Sequence, residues 1–424
     1  MTDHPFGFGP AAGGPGSDDD SDRNAGSGKE PARSDGFGIP DDIMSKVPLF
    51  AELQKLMSWQ GGPVNWDLAR QTAISQVGGG HVPVSADERR AVEEAVRLAD
   101  LWLDPVTTLP SGVAQVDAWS RVEWIEKTLP VWSQLCDPVA SRVVAAMSQA
   151  LPTEAQQMAG PMMGLLGQFG GMMFGAQVGQ GLSSLAAEVL SSTDVGLPLA
   201  PAGTAVLLPQ NVAVFGSGLD RPADEVRLFL ALREAAHQRL FGHVPWLRQR
   251  LLDTVDAYAR GINVDSEAIN EAMLQIDPGN PESIQQALGG GMFQPQDSPE
   301  QTLALARLET LLALIEGWVD HVVALATEGR LPGAVALRET IRRRRASGGP
   351  AEQTFATLVG LELRPRRLRE ASMLWSLLAE QRDSAGRDAL WAQVDLLPTS
   401  EDLDDPQAFV DRDDSAGPSM ADLA

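Results

Sequence analysis

A chain of 424 residues with 43 % hydrophobic and 21 % charged side chains is globular and soluble in composition, and long enough for a core split between two lobes. Its net charge of −24 excludes nucleic acid as an expected partner. The single cysteine, Cys136, excludes an intrachain disulfide framework and suits a reducing, cytoplasmic setting as a small buried side chain.

No apolar stretch follows a basic segment at the start of the sequence, so no secretory leader is expected. Residues 1–40 are Gly, Pro, Ser and Asp with little to bury, and read as a disordered acidic tail. A helical lobe is expected over 41–200. Within it, DERRAVEEAVRLADLWL (87–103) places apolar residues at helical spacing behind a capping Ser85, and helices follow at 117–129 and 132–150. Residues 161–187 carry no charged side chain. Gln168, Gln177, Gln180, Ser183 and Ser184 and the lack of basic flanks favour a buried helix over a membrane span, with Gly167, Gly171, Gly175 and Gly179 on one face.

A second lobe is expected over 201–398. It opens with TAVLLPQNVAVFG (204–216), two short β-branched runs separated by Pro-Gln-Asn that read as a strand pair. Helical runs then fall at 222–241, 246–259, 265–275, 299–328, 331–346, 351–359, 365–381 and 386–393. The basic run IRRRRAS (341–347), with LRPRRLR (363–369), reads as the solvated face of two helices, or else as a phosphate patch. Residues 399–424 carry eight acids and one base and read as a second disordered tail. The fold class is therefore mostly α, with a small β element before the helix at 222–241.

Two stretches carry candidate chemistry. In ALREAAHQRL the segment REAAH differs by one residue from the HExxH helix of zinc peptidases. There, two His four apart on one helix face bind zinc and the intervening Glu is the general base. Glu234 and His237 occupy the second and fifth positions; Arg233 occupies the first and is no zinc ligand. An ExxH alone is common on ordinary helices. Further on, IEGWVDHV puts Glu316 and Asp320 four apart on one face of a strongly apolar helix, where acids need partners.

These stretches, together with GAVALRETIRRRR and LVGLELRPRRLREA, resemble the bacterial zincin-like metallopeptidase family. Its members are commonly labelled zinc-dependent metalloproteases, and one branch is labelled coenzyme biosynthesis-associated. The resemblance runs from about residue 90 to about 410. It implies a zincin-like helical domain, peptide hydrolysis, and a zinc cofactor. By position it implies Glu234 as catalytic base, His237 and Glu316 as metal ligands, and Asp320 as the acid behind a zinc-bound His.

Arg233 departs from that pattern. His243, six residues after His237, has the spacing of a third ligand in another zincin class, but Leu240 stands where that class has a Gly. Three carboxylates, Glu234, Glu316 and Asp320, crowded into one place repel unless a cation offsets them. Arg233 is then expected to pair with Glu316, Asp320 or both, as a cation standing where the metal stood. Two functions remain open at this point. One is a zinc-dependent peptide hydrolase whose activity is lost or reduced by Arg233. The other is a non-catalytic pseudoenzyme that binds a peptide or protein partner or serves as a scaffold.

Overall fold

A computed structural model of the chain describes residues 62–77, 82–149, 160–260, 298–346 and 367–412, all within one unit spanning Leu56–Ala424. The expected helices at 265–275 and 351–359, the N-terminal tail, His4 and His81 lie outside the described residues. Helix α1 (Trp66–Val77) precedes α2 (Ala86–Leu103). Ser85 starts α2 with a capping box: its hydroxyl accepts from the Glu88 amide at 3.2 Å, and the Glu88 carboxylate accepts from the Ser85 amide at 2.8 Å.

Strand β1 (Gln115–Ala118) pairs in parallel with β2 (Thr204–Leu207), Gln115 opposite Thr204 and Ala118 opposite Leu207. The connection between them runs through α3 (Arg121–Gln149) and α4 (Gly160–Glu188). Helix α3 continues through Pro130, where two helices were expected. Trp124 and Trp132, packed edge to face at 6.3 Å, bury one apolar surface across that proline.

The expected strand pair at 204–216 is half right. Residues 204–207 are a strand, but its partner is β1, far back in the chain, and Pro209–Ser217 form helix α5. Pro209 suits the first turn of a helix. The Asn211 side chain donates to the Ala186 and Val189 carbonyls at the end of α4. Tertiary hydrogen bonds thus override the β preference of Val212 and Val214.

Next come α6 (Ala223–His243), α7 (Leu247–Arg260), α8 (Pro299–Thr327), α9 (Ala334–Ala346) and α10 (Leu368–Ala389). Helix α10 joins the two expected runs through a kink at Asp383 (φ 58°), whose carboxylate accepts from the Ala385 and Gly386 amides. Beyond it, residues expected to be disordered form α11 (Ser400–Asp404) and α12 (Pro406–Asp411). Thr399 and Asp402 cap the first reciprocally, and Leu403 and Val410 are buried, so this acidic stretch has enough apolar anchors to fold.

Helices α6 and α8 are the centre of the core. Every residue of α6 from Phe229 to Leu240 is buried, as is every residue of α8 from Leu311 to Val323. Helix α8 is long and apolar enough to cross a bilayer by length and composition, and 83 % of that window is buried within the protein. It packs on α6, α7 and α10. Gly317 sets the approach to α10, since a Cβ there would stand 2.6 Å from the Ala371 Cβ and 2.7 Å from the Ser372 amide nitrogen. Cys136 is buried, and burial with the nearby Asp137 pushes its thiol up to about 12.

Candidate active site

A residue and its fourth successor share a helix face, so Arg233 and His237 both face α8 from α6. They meet Glu316 there. Arg233 Nη2 donates to Glu316 Oε2 at 2.5 Å, and His237 Nε2 lies 3.1 Å from Oε1. His237 Nδ1 is 2.8 Å from the Arg233 carbonyl, and its ring stacks on Phe241. A second guanidinium arrives from α9, where Arg345 Nη2 donates to Glu316 Oε1 at 2.8 Å. Glu316 is 0 % exposed. Burial by itself would raise its pKa, but Arg345, Arg233 and His237 outweigh that and hold it well below the usual carboxylate range.

Asp320, one turn along α8, takes different partners. Arg338 donates through Nε at 2.9 Å and Nη2 at 2.6 Å to Oδ2, and Arg342 Nη2 donates to the same oxygen at 2.5 Å. Ser372 on α10 adds its hydroxyl at 2.8 Å. Burial works to raise the Asp320 pKa; the two guanidiniums prevail and lower it. Among the described residues no histidine is hydrogen-bonded to Asp320. Arg233 pairs with Glu316 and not with Asp320.

Arg338, Arg342 and Arg345 follow the i, i+4, i+7 spacing that usually carries an apolar stripe. The basic run is thus not simply a solvated face. Arg342 and Arg345 point inward to Asp320 and Glu316, and Arg344 bonds Asp194 at 2.8 Å and the Glu188 carbonyl at 2.7 Å. Arg343 and Arg369 do form exposed pairs, both with Glu339. Sequence reasoning missed the inward role of these arginines; their shared helical face was the available signal.

Glu234, rotated about 100° from Arg233, faces β2 and the loop before it. Oε1 accepts from the Ser192 hydroxyl (2.5 Å), the Val206 amide (3.2 Å) and Gln238 Nε2 (3.1 Å). Oε2 accepts from the Thr193 hydroxyl (2.6 Å) and amide (3.3 Å). Five donors, none of them cationic, engage this carboxylate, and it is 0 % exposed. The same loop closes over Glu316. Gly196 takes φ +79°, and a Cβ there would lie 3.1 Å from Leu312 and 3.8 Å from Glu316 Oε1.

His243 is exposed at the end of α6, with Nε2 3.1 Å from the Ser111 carbonyl. Six residues turn the helix about 600°, so it leaves the face that carries His237. His321 is buried and touches neither metal-ligand candidate in any hydrogen bond of the described residues.

The donor set around Glu316 fits zinc poorly. His237 Nε2 and Glu316 Oε1 do converge; bonds of about 2.0–2.1 Å at a tetrahedral angle would put two donors about 3.3 Å apart. Yet a structural or catalytic site needs at least three protein ligands. Here the remaining neighbours of Glu316 are two guanidiniums, which a divalent cation would repel. Among the described residues no group of three or more His, Cys, Asp or Glu side chains is placed to hold a metal ion.

The chain matches the zincin-like metallopeptidase family over residues 64–410, and it belongs to that family. A crystal structure from Chloroflexus aurantiacus, described as having a novel fold and proposed as a hydrolase, shares its fold at a TM-score of 0.59 and 21 % identity. That likeness covers 82 % of this chain and 99 % of the other. No curated protein matches.

Proposed function

We propose that this chain is a non-catalytic member of the zincin-like metallopeptidase family, in which Arg233 and Arg345 supply the positive charge that zinc supplies in an active member. In this reading peptide hydrolysis is lost, and the protein acts by binding a peptide or protein partner or as a scaffold. The observation that carries the reading is the Glu316 carboxylate. Both of its oxygens are engaged by guanidiniums, at 2.5 and 2.8 Å, with no exposure to solvent. Glu234 supports it independently, because its two oxygens are committed to the loop and to β2 and neither is free to take a proton from water.

What the chain's own residues do here is structural. Arg233 and His237 tie α6 to α8, Arg345 ties α9 to α8, and Glu234 ties α6 to β2 and the preceding loop. Titration with zinc tests the proposal. Added zinc or chelator is expected to change neither the melting temperature nor peptide hydrolysis by the wild type. Arg233→His combined with Arg345→Gln frees Glu316 and creates a His-His-Glu donor set, and is expected to gain zinc-dependent stabilisation of several degrees. Chelator-sensitive peptide hydrolysis by the wild-type protein would overturn the proposal.

A further inference from the structure

A cavity of about 680 Å3 lies beside the Asp320 cluster, between α6, α8, α9 and α10. Small-molecule sites commonly occupy about 300–1,000 Å3. None of Arg233, Glu234, His237, Glu316 or Arg345 lines it, so it is separate from the centre described above.

Its polar wall holds Arg338, Arg342, Ser372 and His321. The two arginines share one carboxylate, that of Asp320, so one positive charge is left over in a partly buried place. Each guanidinium reaches Asp320 through Nε and Nη2, leaving Nη1 without a protein partner among the described residues. Exposed Glu328 and Arg369 also line the cavity; Arg369 shares Glu339 with Arg343, so one positive charge there offsets Glu328 and the surplus at Asp320 stands.

His321 is 6 % exposed, and its Nε2 has no hydrogen-bond partner among the described residues. Burial, then the charges of Arg387 and Arg338, push its pKa down to about 4, against the opposing pull of Asp320 and Asp388. The ring is neutral at pH 7. Apart from the hydroxyls of Thr327 and Ser376, the rest of the lining is apolar. Leu325, Val335 and Met373, which are 39, 59 and 81 % exposed in the order Leu325, Met373, Val335, all border this one cavity. Large apolar side chains grouped around a concavity mark a binding site more often than isolated ones do.

We propose that this cavity binds a small monocarboxylate with an apolar body. The carboxylate sits on Arg338 and Arg342, and the apolar part lies over Leu325, Val335 and Met373. A single negative charge is what the shared Asp320 leaves to be matched, and a planar carboxylate suits guanidinium donors. A free aliphatic acid and the C-terminal residue of a peptide offer the same chemistry.

Isothermal titration of the full-length chain with octanoate and with N-acetyl-leucine, against octanamide and N-acetyl-leucinamide, tests this. One saturable site that takes an acid about tenfold or more tighter than its amide is expected. Tighter octanoate identifies an aliphatic acid, and tighter N-acetyl-leucine a peptide terminus. Arg338→Gln is expected to abolish the preference for acid over amide. Val335→Glu, at an exposed position outside the Asp320 cluster, is expected to weaken the acid about fivefold or more with an unchanged circular dichroism spectrum. Equal binding of acids and amides, no saturable binding of either acid, or unaltered acid binding by Val335→Glu would each overturn the proposal.

Discussion

Replacing Arg233 by Met removes one guanidinium from a carboxylate that has no access to water. Breaking a buried ion pair by deleting one partner costs about 3–5 kcal/mol, because the survivor is left uncompensated. Here Glu316 keeps Arg345 at 2.8 Å and His237 at 3.1 Å. The cost of Arg233→Met should therefore fall at the lower end, about 3 kcal/mol. Glu316→Gln is worse. It leaves Arg233 facing a neutral amide with no counter-ion and Arg345 with only Asp194, at 3.9 Å, which places it at the upper end, about 5 kcal/mol. Combining the two changes should cost less than their sum, with a coupling of about 2 kcal/mol or more. Urea unfolding followed by tryptophan fluorescence reads these differences as midpoint shifts at constant slope, with Trp318 buried on α8 as a native probe. An Arg233→Met protein within about 0.5 kcal/mol of wild type would refute the reasoning, since it would mean that Arg233 does not compensate Glu316.

Three further outcomes follow from the same contacts. Glu234→Gln should cost about 1–3 kcal/mol in thermal or urea unfolding, because an amide NH2 must then face donors such as the Thr193 amide; an unchanged midpoint would indicate a carboxylate free for catalysis. Gly317→Ala should lower the melting temperature by several degrees through contact with Ala371 and Ser372, and Ser372→Ala in the same background should not restore it, since the backbone contact remains. Acid should destabilise the fold. Glu316, Asp320, Asp194 and Asp388 all have folded pKa values lowered below their unfolded ones, so their stabilisation is complete above about pH 4–5 and is lost as pH falls through the folded values. A melting temperature that stayed constant or rose from pH 5 to pH 3 would contradict that sign.

Much of the helical framework was legible because each long helix repeats its apolar residues at the helical period. Helix α2 also announced its start with Ser85 and Glu88. The pairing of Arg233 was legible only in part: the family resemblance set its helix beside the one carrying Glu316 and Asp320, and charge left Glu316, Asp320 or both as partners, of which the fold takes Glu316. Other features depend on contacts far apart in sequence. The partner of β2 lies about ninety residues earlier, and α5 reads as β until Asn211 is seen bonding the end of α4. Glu234 looks like a general base in the sequence. Only the fold brings Ser192, Thr193 and Val206 against it. Asp320 was expected behind a histidine, whereas α9 lays Arg338 and Arg342 on it through a register no local pattern specifies.

On the proposed function, internal guanidiniums stand where a metal would. Elemental analysis of the full-length protein, prepared without a nickel affinity step, decides whether they do. The account predicts zinc far below one equivalent per chain, with no change in melting temperature on adding chelator. Close to one zinc per chain, removed by chelator with a fall in melting temperature, would contradict it.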